Sequence, residues 1–255
     1  MKLIQTPHEM KIWRNSLKDD VKDSVGFVPT MGALHAGHEE LLKKSKAENK
    51  ISVLSIFVNP TQFNDPTDFE KYPVTWDADL RIAQINNVDV VFAPTKELLY
   101  LDGYKFKLIE NDFSRYLCGK DRPGHFDGVL TVVMKLFQVI QPNKAYFGEK
   151  DYQQFQLIKG MAEAFFMSVN VVPVPTVREK TGLAMSSRNL RLSEKNRYEV
   201  APLIYKRITE SKTAQEALEK LQMDGFKIDY VEDRNQRRFV AVQLNDVRLI
   251  DNVAL

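Results

Sequence analysis

Short apolar runs alternate with segments of helical periodicity over roughly the first two thirds of the chain. Residues 51–58 (ISVLSIFV) form an almost continuous apolar run, which is typical of a parallel strand buried on both faces. The pattern also predicts strands at 25–30, 88–92, 144–147 and 168–174, separated by helices at 37–49, 77–86, 129–140 and 151–166. This alternation predicts an α/β fold built on a parallel sheet.

The helix predicted at 129–140 (VLTVVMKLFQVI) is apolar almost all round. Its polar positions, Thr131, Lys135 and Gln138, are spaced by four and then three residues and therefore share one helical face. We expect a mostly buried helix with one polar edge. Lys135 could face either a binding site or solvent.

The pattern changes after Pro173 and Pro175. Residues 193–220 predict two helices with a break near Thr213. Three short apolar stretches, at 227–232, 239–244 and 247–251, have the spacing of strands joined by hairpins. A first domain over residues 1–176 and a small α+β domain over residues 177–255 are therefore expected.

Composition and charge exclude several classes of protein. A net charge of +2, without a long run of like charge, argues against a nucleic-acid binder. The single cysteine, Cys118, excludes an internal disulfide and fits a reducing compartment. No apolar stretch approaches the roughly 20 residues that span a bilayer, and polar residues come too early for a signal peptide. We expect a cytoplasmic protein without a membrane partner.

The segment 29–38 (PTMGALHAGH) follows a predicted strand and enters a predicted helix. The N-terminus of a helix offers free N–H groups and the positive end of its dipole, which suits phosphate. Gly32 and Gly37 allow the backbone to come close to a ligand. His35 and His38 are three residues apart, so they would point the same way and could donate to phosphoryl oxygens. The sequence therefore predicts a phosphate site in this turn.

This turn has two other interpretations. The histidines could lie on the surface beside an ordinary helix cap. They could also bind zinc, but no third ligand lies at a suitable spacing, so we expect no protein-held metal site.

A second candidate segment is Met185-Ser186-Ser187-Arg188-Asn189. Two hydroxyl groups and a guanidinium fork match the oxygens of a phosphate, although by itself the segment would be interpreted by default as a solvated loop. Its pairing with a distant HxGH segment resembles the HIGH and KMSKS elements of class I aminoacyl-tRNA synthetases and of related nucleotidyltransferases.

Five longer motifs narrow this resemblance. VPTMGALHAGH, SIFVNPTQF, RPGHFDGVLTVVMKLFQVIQP, YFGEKDYQQFQLI and GLAMSSRN, in this order over roughly residues 27–192, resemble the pantoate–β-alanine ligase family. The C-terminal part is similar only through DYVE near Asp229 and RLIDN near Arg248. One position departs from the family, which usually has an arginine where Val74 follows Tyr72-Pro73.

The resemblance implies a Rossmann-like first domain, a small C-terminal lid that carries the MSSR loop, and a homodimer. It also implies a two-step reaction. Pantoate attacks the α-phosphate of Mg²⁺-bound ATP to give pantoyl adenylate and pyrophosphate. The amine of β-alanine then attacks the adenylate to give pantothenate and AMP. Such catalysis depends on positioning and on charge stabilisation.

The resemblance also implies the residues of the site. ATP would be bound by Met31, Gly32, Ala33, Leu34, His35, Ala36, Gly37 and His38, by Gly148, Glu149, Lys150 and Asp151, by the backbone of Val177, and by Met185, Ser186, Ser187 and Arg188. The catalytic residues would be His38, the family's proton donor, together with His35, Lys150 and Arg188. Gln62 would contact pantoate and β-alanine, and Gln154 would contact pantoate.

Some of these residues have structural alternatives. Asp151 and Gln154 have the spacing of a helix capping box. Arg122 could bind an anion or form a salt bridge that orders its loop. His125 is expected to be a buried structural residue.

Two other functions compete with the ligase. The first is another nucleotidyltransferase of the HxGH superfamily, which would transfer a nucleotide without an amine acceptor. The second is a truncated synthetase-like module that binds tRNA, and the near-neutral charge argues against it.

Overall fold

The computed structural model describes all residues from Met1 to Leu255. Six strands form one sheet in the order β1-β4-β3-β2-β5-β6, and every neighbouring pair is parallel. The strands are β1 (Lys2–Ile4), β2 (Val25–Thr30), β3 (Ile51–Ile56), β4 (Val90–Phe92), β5 (Lys144–Gly148) and β6 (Asn170–Val174). The expectation of a Rossmann-like parallel sheet is confirmed.

Helices cover both faces of this sheet and continue into the C-terminal part. They are α1 (Pro7–Asn15), α2 (Asp19–Lys22), α3 (Ala36–Glu48), α4 (Pro66–Glu70), α5 (Trp76–Ile85), α6 (Lys96–Leu99), α7 (Cys118–Asp121), α8 (His125–Ile140), α9 (Tyr152–Ala164), α10 (Leu203–Glu210) and α11 (Ala214–Met223). Short 3-10 turns occupy Pro60–Gln62, Phe113–Arg115, Glu149–Asp151 and Ser187–Arg191, and a π-helical turn occupies Asn196–Val200. None of the helices combines the length and the apolar sequence that crossing a membrane requires.

The order in which strands are added to the sheet reverses between β2 and β5, although the two strands are parallel. From β2 the chain continues through β3 and β4 to one side, whereas β5 and β6 extend the sheet on the other side. Ligands of open parallel sheets bind in the crevice beyond the carboxyl ends of the strands at such a reversal. The turn after Thr30 and the turn after Gly148 meet at this crevice, so the topology brings together two of the predicted ATP segments.

Most predicted elements are present, with ends shifted by a few residues. The largest extension is α8, which begins at His125 rather than at residue 129. The preceding loop covers two of the three polar positions of α8, because Thr131 Oγ1 accepts from Leu108 N at 2.9 Å and Lys135 pairs with Asp102 at 3.0 Å. Lys135 therefore contacts this loop. The third polar position, Gln138, is exposed. The sequence pattern did not predict β1 or α1.

The C-terminal part has a sheet of its own. Strands β7 (Lys227–Arg234), β8 (Arg237–Leu244) and β9 (Val247–Ala254) are antiparallel, as the hairpin spacing predicts. The predicted break near Thr213 is confirmed, since Thr213 caps α11 by accepting from Glu216 N at 3.1 Å. The apolar side chains of this sheet and of α10 and α11 form a cluster separate from those of the large sheet. The boundary at residues 176 and 177 stays a prediction that this separation supports.

Candidate active site

Two adjoining cavities open at the reversal of the large sheet. The smaller has a volume of about 250 Å³ and the larger about 610 Å³. Both are lined by Arg122, His125, Lys150, Asp151, Gln154, Ser186 and Arg188. The smaller cavity also contains the ends of β2 and β5, whereas the larger one lies between the large sheet and the C-terminal sheet.

The turn after β2 is built around a buried carboxylate. Asp79, on α5, is 2 % exposed and accepts from Ala33 N at 3.0 Å and Leu34 N at 2.8 Å. Thr75 Oγ1 donates to the same carboxylate at 3.0 Å. Gly32 has a φ of +81°, and a Cβ there would lie 3.0 Å from Asp79 Oδ2. Asp79 therefore fixes the shape of the turn, which the sequence analysis missed although an acid on a helix's buried face was a usable signal.

The imidazole rings of His35 and His38 each accept a backbone hydrogen bond at the start of α3. His35 is the N-cap residue, and its Nδ1 accepts from Gly37 N at 3.1 Å. His38 Nδ1 accepts from His35 N at 3.3 Å. Since both Nδ1 atoms accept, both protons of the neutral rings lie on Nε2. The arrangement is a capping box made of two histidines.

Burial keeps both imidazoles neutral. Burial lowers the pKa of His35 to about 4, with a further contribution from the positive charge of Lys150. Burial, followed by the neighbouring His35 and Lys150, lowers the pKa of His38 well below its usual value. The two rings are stacked at a tilt, with centroids 4.0 Å apart, and both line the smaller cavity. They offer uncharged Nε2–H donors to a ligand.

The expectation that this turn presents free backbone N–H groups holds only in part, because most of them are already bound within the protein. The N–H groups of Ala33 and Leu34 bind Asp79, those of His35 and Gly37 bind the two rings, and Gly32 N donates to Thr30 Oγ1 at 3.2 Å. Acceptors within the protein occupy these five donors, so we expect side chains to supply most of the donors for a phosphate. Met31, His35, Gly37 and His38 line the smaller cavity, whereas Gly32, Ala33, Leu34 and Ala36 do not.

Gln62 is oriented by a buried amide. Asn59 is 1 % exposed, and its Nδ2 donates to Gln62 Oε1 at 3.1 Å and to Gly128 O at 3.2 Å. Tyr100 OH donates to Asn59 Oδ1 at 2.9 Å, which fixes the amide of Asn59. The carbonyl of Gln62 is thereby occupied, and its Nε2, 3.3 Å from Met31 Sδ, faces the cavity as a donor. No local feature of the sequence predicts this role of Asn59.

The segment after β5 contributes three side chains. Lys150, Asp151 and Gln154 line both cavities, and Gly148 lines the smaller one. The capping-box interpretation of Asp151 and Gln154 is wrong, because the Asp151 side chain makes no cap hydrogen bond. Its carboxylate lies 3.7 Å from Lys150 Nζ instead.

Glu149 in the same turn faces the C-terminal sheet. It lies 3.7 Å from the Arg237 guanidinium and does not line either cavity. Asn252 Nδ2 donates to the carbonyl oxygens of Glu149 and Lys150, both at 2.9 Å. This contact fixes the turn against β9.

The loop 177–188 closes the other side of the smaller cavity. Met185 N donates to Val177 O at 2.9 Å, so the two predicted ATP contacts are joined directly. Ser186 Oγ accepts from Arg188 N at 3.2 Å, which begins the 3-10 turn. Arg188 donates to Asp68, on α4, at 3.0 Å. Val177, Met185, Ser186, Ser187 and Arg188 all line the smaller cavity.

Arg122 and His125 lie where the two cavities meet. His125 is 8 % exposed, and its Nδ1 donates to Gln62 O at 2.8 Å. Arg122 donates to His125 Nε2 and to Gln62 O, both at 3.2 Å, and forms no salt bridge. The loop-ordering salt bridge is therefore absent, whereas His125 is a buried, hydrogen-bonded residue as expected.

Comparison with known proteins settles the family. The sequence profile of the family described as pantoate-beta-alanine ligase matches residues 2–254. The chain belongs to this family. It is a ligase, and the match does not favour another nucleotidyltransferase.

Curated relatives of this ligase are similar over their whole length. The pantothenate synthetase of Bdellovibrio bacteriovorus is 58% identical over 253 residues, which cover 99% of each chain. The pantothenate synthetase of Legionella pneumophila (strain Lens) is 49% identical over 255 residues, which cover 99% of this chain and 100% of the relative.

Solved structures share its fold. The pantoate-beta-alanine ligase of Francisella tularensis, in complex with beta-gamma ATP and beta-alanine, superposes with a TM-score of 0.93 at 42% identity and covers 100% of this chain and 97% of that one. The pantothenate synthetase of Thermus thermophilus gives a TM-score of 0.89 at 37% identity, with 100% and 99% coverage.

Val74, the position that departs from the family, lies outside both cavities. Its side chain is 81% exposed. The missing arginine therefore changes neither cavity lining.

Proposed function

We propose that this ligase condenses pantoate with β-alanine at the expense of ATP, through a pantoyl-adenylate intermediate, and releases AMP and pyrophosphate. The observation that carries the proposal is the smaller cavity, which gathers side chains from four separate segments. The turn after β2 supplies the two neutral histidines, and the turn after β3 supplies Gln62. The segment after β5 supplies Lys150 and Gln154, and the fourth segment is the loop that ends at Arg188. Amide donors for an acid and cations for a triphosphate thus lie in one space.

The histidines stabilise charge rather than carry it. Their pKa values lie below neutrality, so near pH 7 each Nε2–H donates a hydrogen bond without being an imidazolium. Directed at the α-phosphate, two such donors stabilise the charge that develops while the pantoate carboxylate forms its P–O bond and pyrophosphate leaves. We assign His38 this role, with His35 beside it as both donor and helix cap.

The cations and hydroxyl groups hold the rest of the triphosphate. Lys150 is a point charge for phosphate oxygens, and Arg188 with Ser186 and Ser187 closes over them from the loop. The backbone of Val177 contacts the adenine. Gly32, Ala33, Leu34, Ala36 and Glu149, which do not line the cavity, support its shape.

Gln62 and Gln154 position the acid. Because Asn59 donates to the side-chain carbonyl of Gln62, the Nε2 group of Gln62 is left to donate to an oxygen of pantoate. Uncharged donors leave the carboxylate nucleophilic while fixing its direction. In the second step the unprotonated amine of β-alanine forms a bond to the acyl carbon, and the bond from that carbon to the phosphate oxygen breaks. AMP leaves, and the new amide nitrogen releases a proton to the solvent.

Magnesium would enter with ATP. The chain has no group of three His, Cys, Asp or Glu side chains that could hold a metal ion alone. Mg²⁺ in nucleotide sites is bound mainly by phosphates and water with one or two carboxylates, and Asp151 at the cavity wall fits that need. The ion would neutralise phosphate charge.

The remaining proposals concern assembly and location. We propose a homodimer, a cytoplasmic location, and a C-terminal part from residue 177 that acts as a lid over the phosphates. The ion pair of Asp68 with Arg188 and with Arg191, at 3.0 and 3.3 Å, supports the lid because it joins α4 to the loop. Sedimentation velocity tests the dimer.

An assay with three substrates tests the reaction. ATP, pantoate and β-alanine should yield AMP and pyrophosphate in equal amounts. Without β-alanine, labelled pyrophosphate should enter ATP only when pantoate is present. ADP formation, or turnover that is indifferent to pantoate, would contradict the proposal.

A further inference from the structure

Arg122 is an unpaired cation at the junction of the two cavities. Four arginines line the cavities, and Arg188, Arg191 and Arg248 each lie within 4.0 Å of a carboxylate. Arg122 forms no such pair. The guanidinium of Arg122 is half-buried and no carboxylate of this chain lies within salt-bridge distance, so an anionic ligand would stabilise it.

Two hydrogen bonds fix the side chain of Arg122 and leave its other N–H donors free for a ligand. Nη1 donates to the acceptor Nε2 of His125 at 3.2 Å, and Nη2 donates to Gln62 O at 3.2 Å. His125 Nδ1 also donates to Gln62 O, at 2.8 Å, so the three groups form a closed network. A guanidinium has five N–H donors, and the others remain for a ligand.

The three substrates each carry a negative charge, and their chemistry indicates which of them pairs with Arg122. The triphosphate already has Lys150 and Arg188. The pantoate carboxylate must remain nucleophilic and loses its charge on adenylation, so amide donors suit it better than a permanent ion pair. The carboxylate of β-alanine remains ionised throughout, and a lasting charge in a desolvated site needs a lasting counter-charge.

We propose that Arg122 binds the carboxylate of β-alanine and thereby directs the amine toward the adenylate. The proposal rests on the proposed function. Arg122 lines both cavities, so it can hold an amino acid that enters through the larger one after the smaller one contains the adenylate. Arg122 is then the residue that selects an amine with a free carboxylate.

The test compares Arg122→Gln and Arg122→Lys with Arg115→Gln, an exposed arginine outside both cavities. Pantoate-dependent exchange of pyrophosphate into ATP, without β-alanine, measures the first step. We expect Arg122→Gln to retain exchange within about threefold and to raise the KM for β-alanine roughly 100-fold. Arg122→Lys should recover part of this loss, and Arg115→Gln should match the wild type.

A neutral analogue gives an independent readout. The wild type should prefer β-alanine over β-alaninamide roughly 100-fold in kcat/KM, and Arg122→Gln should lose most of this preference. Equal use of both amines by the wild type, or an unchanged preference in Arg122→Gln, would overturn the role of Arg122. So would a fall in exchange as large as the fall in the complete reaction. Absence of exchange in the wild type would instead overturn the proposed function.

Discussion

His35 donates its backbone N–H to Nδ1 of His38, at 3.3 Å, and this contact determines which nitrogen of His38 carries the proton. The reciprocal contact, from Gly37 N to His35 Nδ1, does the same for His35. A helix cap thus sets the tautomer of both rings. In consequence, each ring uses Nδ1 for the fold and leaves the N–H of Nε2 without a partner in the protein, at the wall of the smaller cavity.

Replacing His38 by its two amide analogues should separate these nitrogens. Glutamine places an amide N–H near the position of Nε2, whereas asparagine reaches only as far as Nδ1. We expect His38→Gln to retain more pantoate-dependent pyrophosphate exchange than His38→Asn, by roughly tenfold or more, because it keeps the donor. Both variants should change the KM for ATP less than kcat.

His8→Asn is the matched control, since His8 is exposed on α1. It should leave exchange unchanged. Greater activity in His38→Asn than in His38→Gln would mean that Nδ1, not Nε2, faces the phosphate. An equal loss of ATP binding and turnover would mean that His38 only positions the nucleotide.

Three neutral histidines, of which His125 is buried and His35 and His38 are half-buried, predict a stability that falls as the pH falls. Burial lowers the pKa of His35 to about 4 and of His38 well below its usual value, and burial followed by the charge of Arg122 lowers the pKa of His125 to about 3. The unfolded chain takes up these protons near pH 6.5, whereas the folded chain does not. Below about pH 6.5 the free energy of unfolding should therefore decrease, by up to about 1.4 kcal/mol per pH unit for each histidine.

Urea unfolding at pH 7.5, 6.5, 5.5 and 5.0 measures this slope. These histidines add no slope above about pH 6.5, where they are neutral in both states. His125→Asn keeps a donor toward Gln62 O and removes one of the three groups, so its slope should be shallower by about a third. An unfolding free energy that stays constant from pH 6.5 to 5.0 would contradict the assignment of neutral rings.

The sequence pattern was sufficient to predict the large parallel sheet and the site segments that follow its strands. A continuous apolar run such as residues 51–58 has few alternatives to a buried strand, and the HxGH and MSSR segments differ clearly from ordinary loops. The short strand β1 is different. It has three residues, of which only Ile4 is buried, and its pairing with β4 depends on residues far along the chain.

The hydrogen-bond partners within the site could not be read from local sequence. Asp79 reaches the turn across 45 residues, and Asn59 reaches Gly128 across 69. Local spacing suggested a capping box at Asp151, where none forms, whereas the capping box at the start of α3 consists of two histidines. Long-range partners such as Asp79 decide whether a backbone N–H is free, and for this reason the turn after β2 keeps fewer free N–H groups than its sequence predicts.

Gly128 allows α8 to approach the segment that carries Gln62. A Cβ at Gly128 would lie 2.4 Å from Thr61 O and 2.8 Å from Gln62 Cα, which are backbone atoms that cannot move alone. Gly128→Ala should displace Gln62, raise the KM for pantoate at least tenfold and destabilise the fold by about 1–3 kcal/mol. Steady-state kinetics and urea unfolding measure both effects.

The control is Gly160→Ala in α9, where a Cβ meets no atom within 4 Å. This helical substitution should leave the KM for pantoate unchanged and stabilise the protein by about 0.5–1 kcal/mol. If Gly128→Ala destabilised the protein while the KM for pantoate stayed at the wild-type value, Gln62 would not contact pantoate.

Asp79 should be needed for the shape of the turn although it does not line either cavity. Its carboxylate is the acceptor for Ala33 N and Leu34 N, and in Asp79→Asn one oxygen is replaced by an NH₂ group that faces an N–H. We expect a loss of about 3 kcal/mol in the free energy of unfolding and a higher KM for ATP, because His35 follows this turn directly.

Asp77→Asn separates this effect from a general loss of negative charge on α5. Asp77 lies in the first turn of the same helix and is exposed, so its replacement should cost less than about 0.5 kcal/mol and leave the KM for ATP unchanged. Similar losses in the two variants would show that helix charge, rather than the two hydrogen bonds, accounts for the effect. A destabilised Asp79→Asn that still bound ATP normally would show that the histidines are positioned by their own capping box alone.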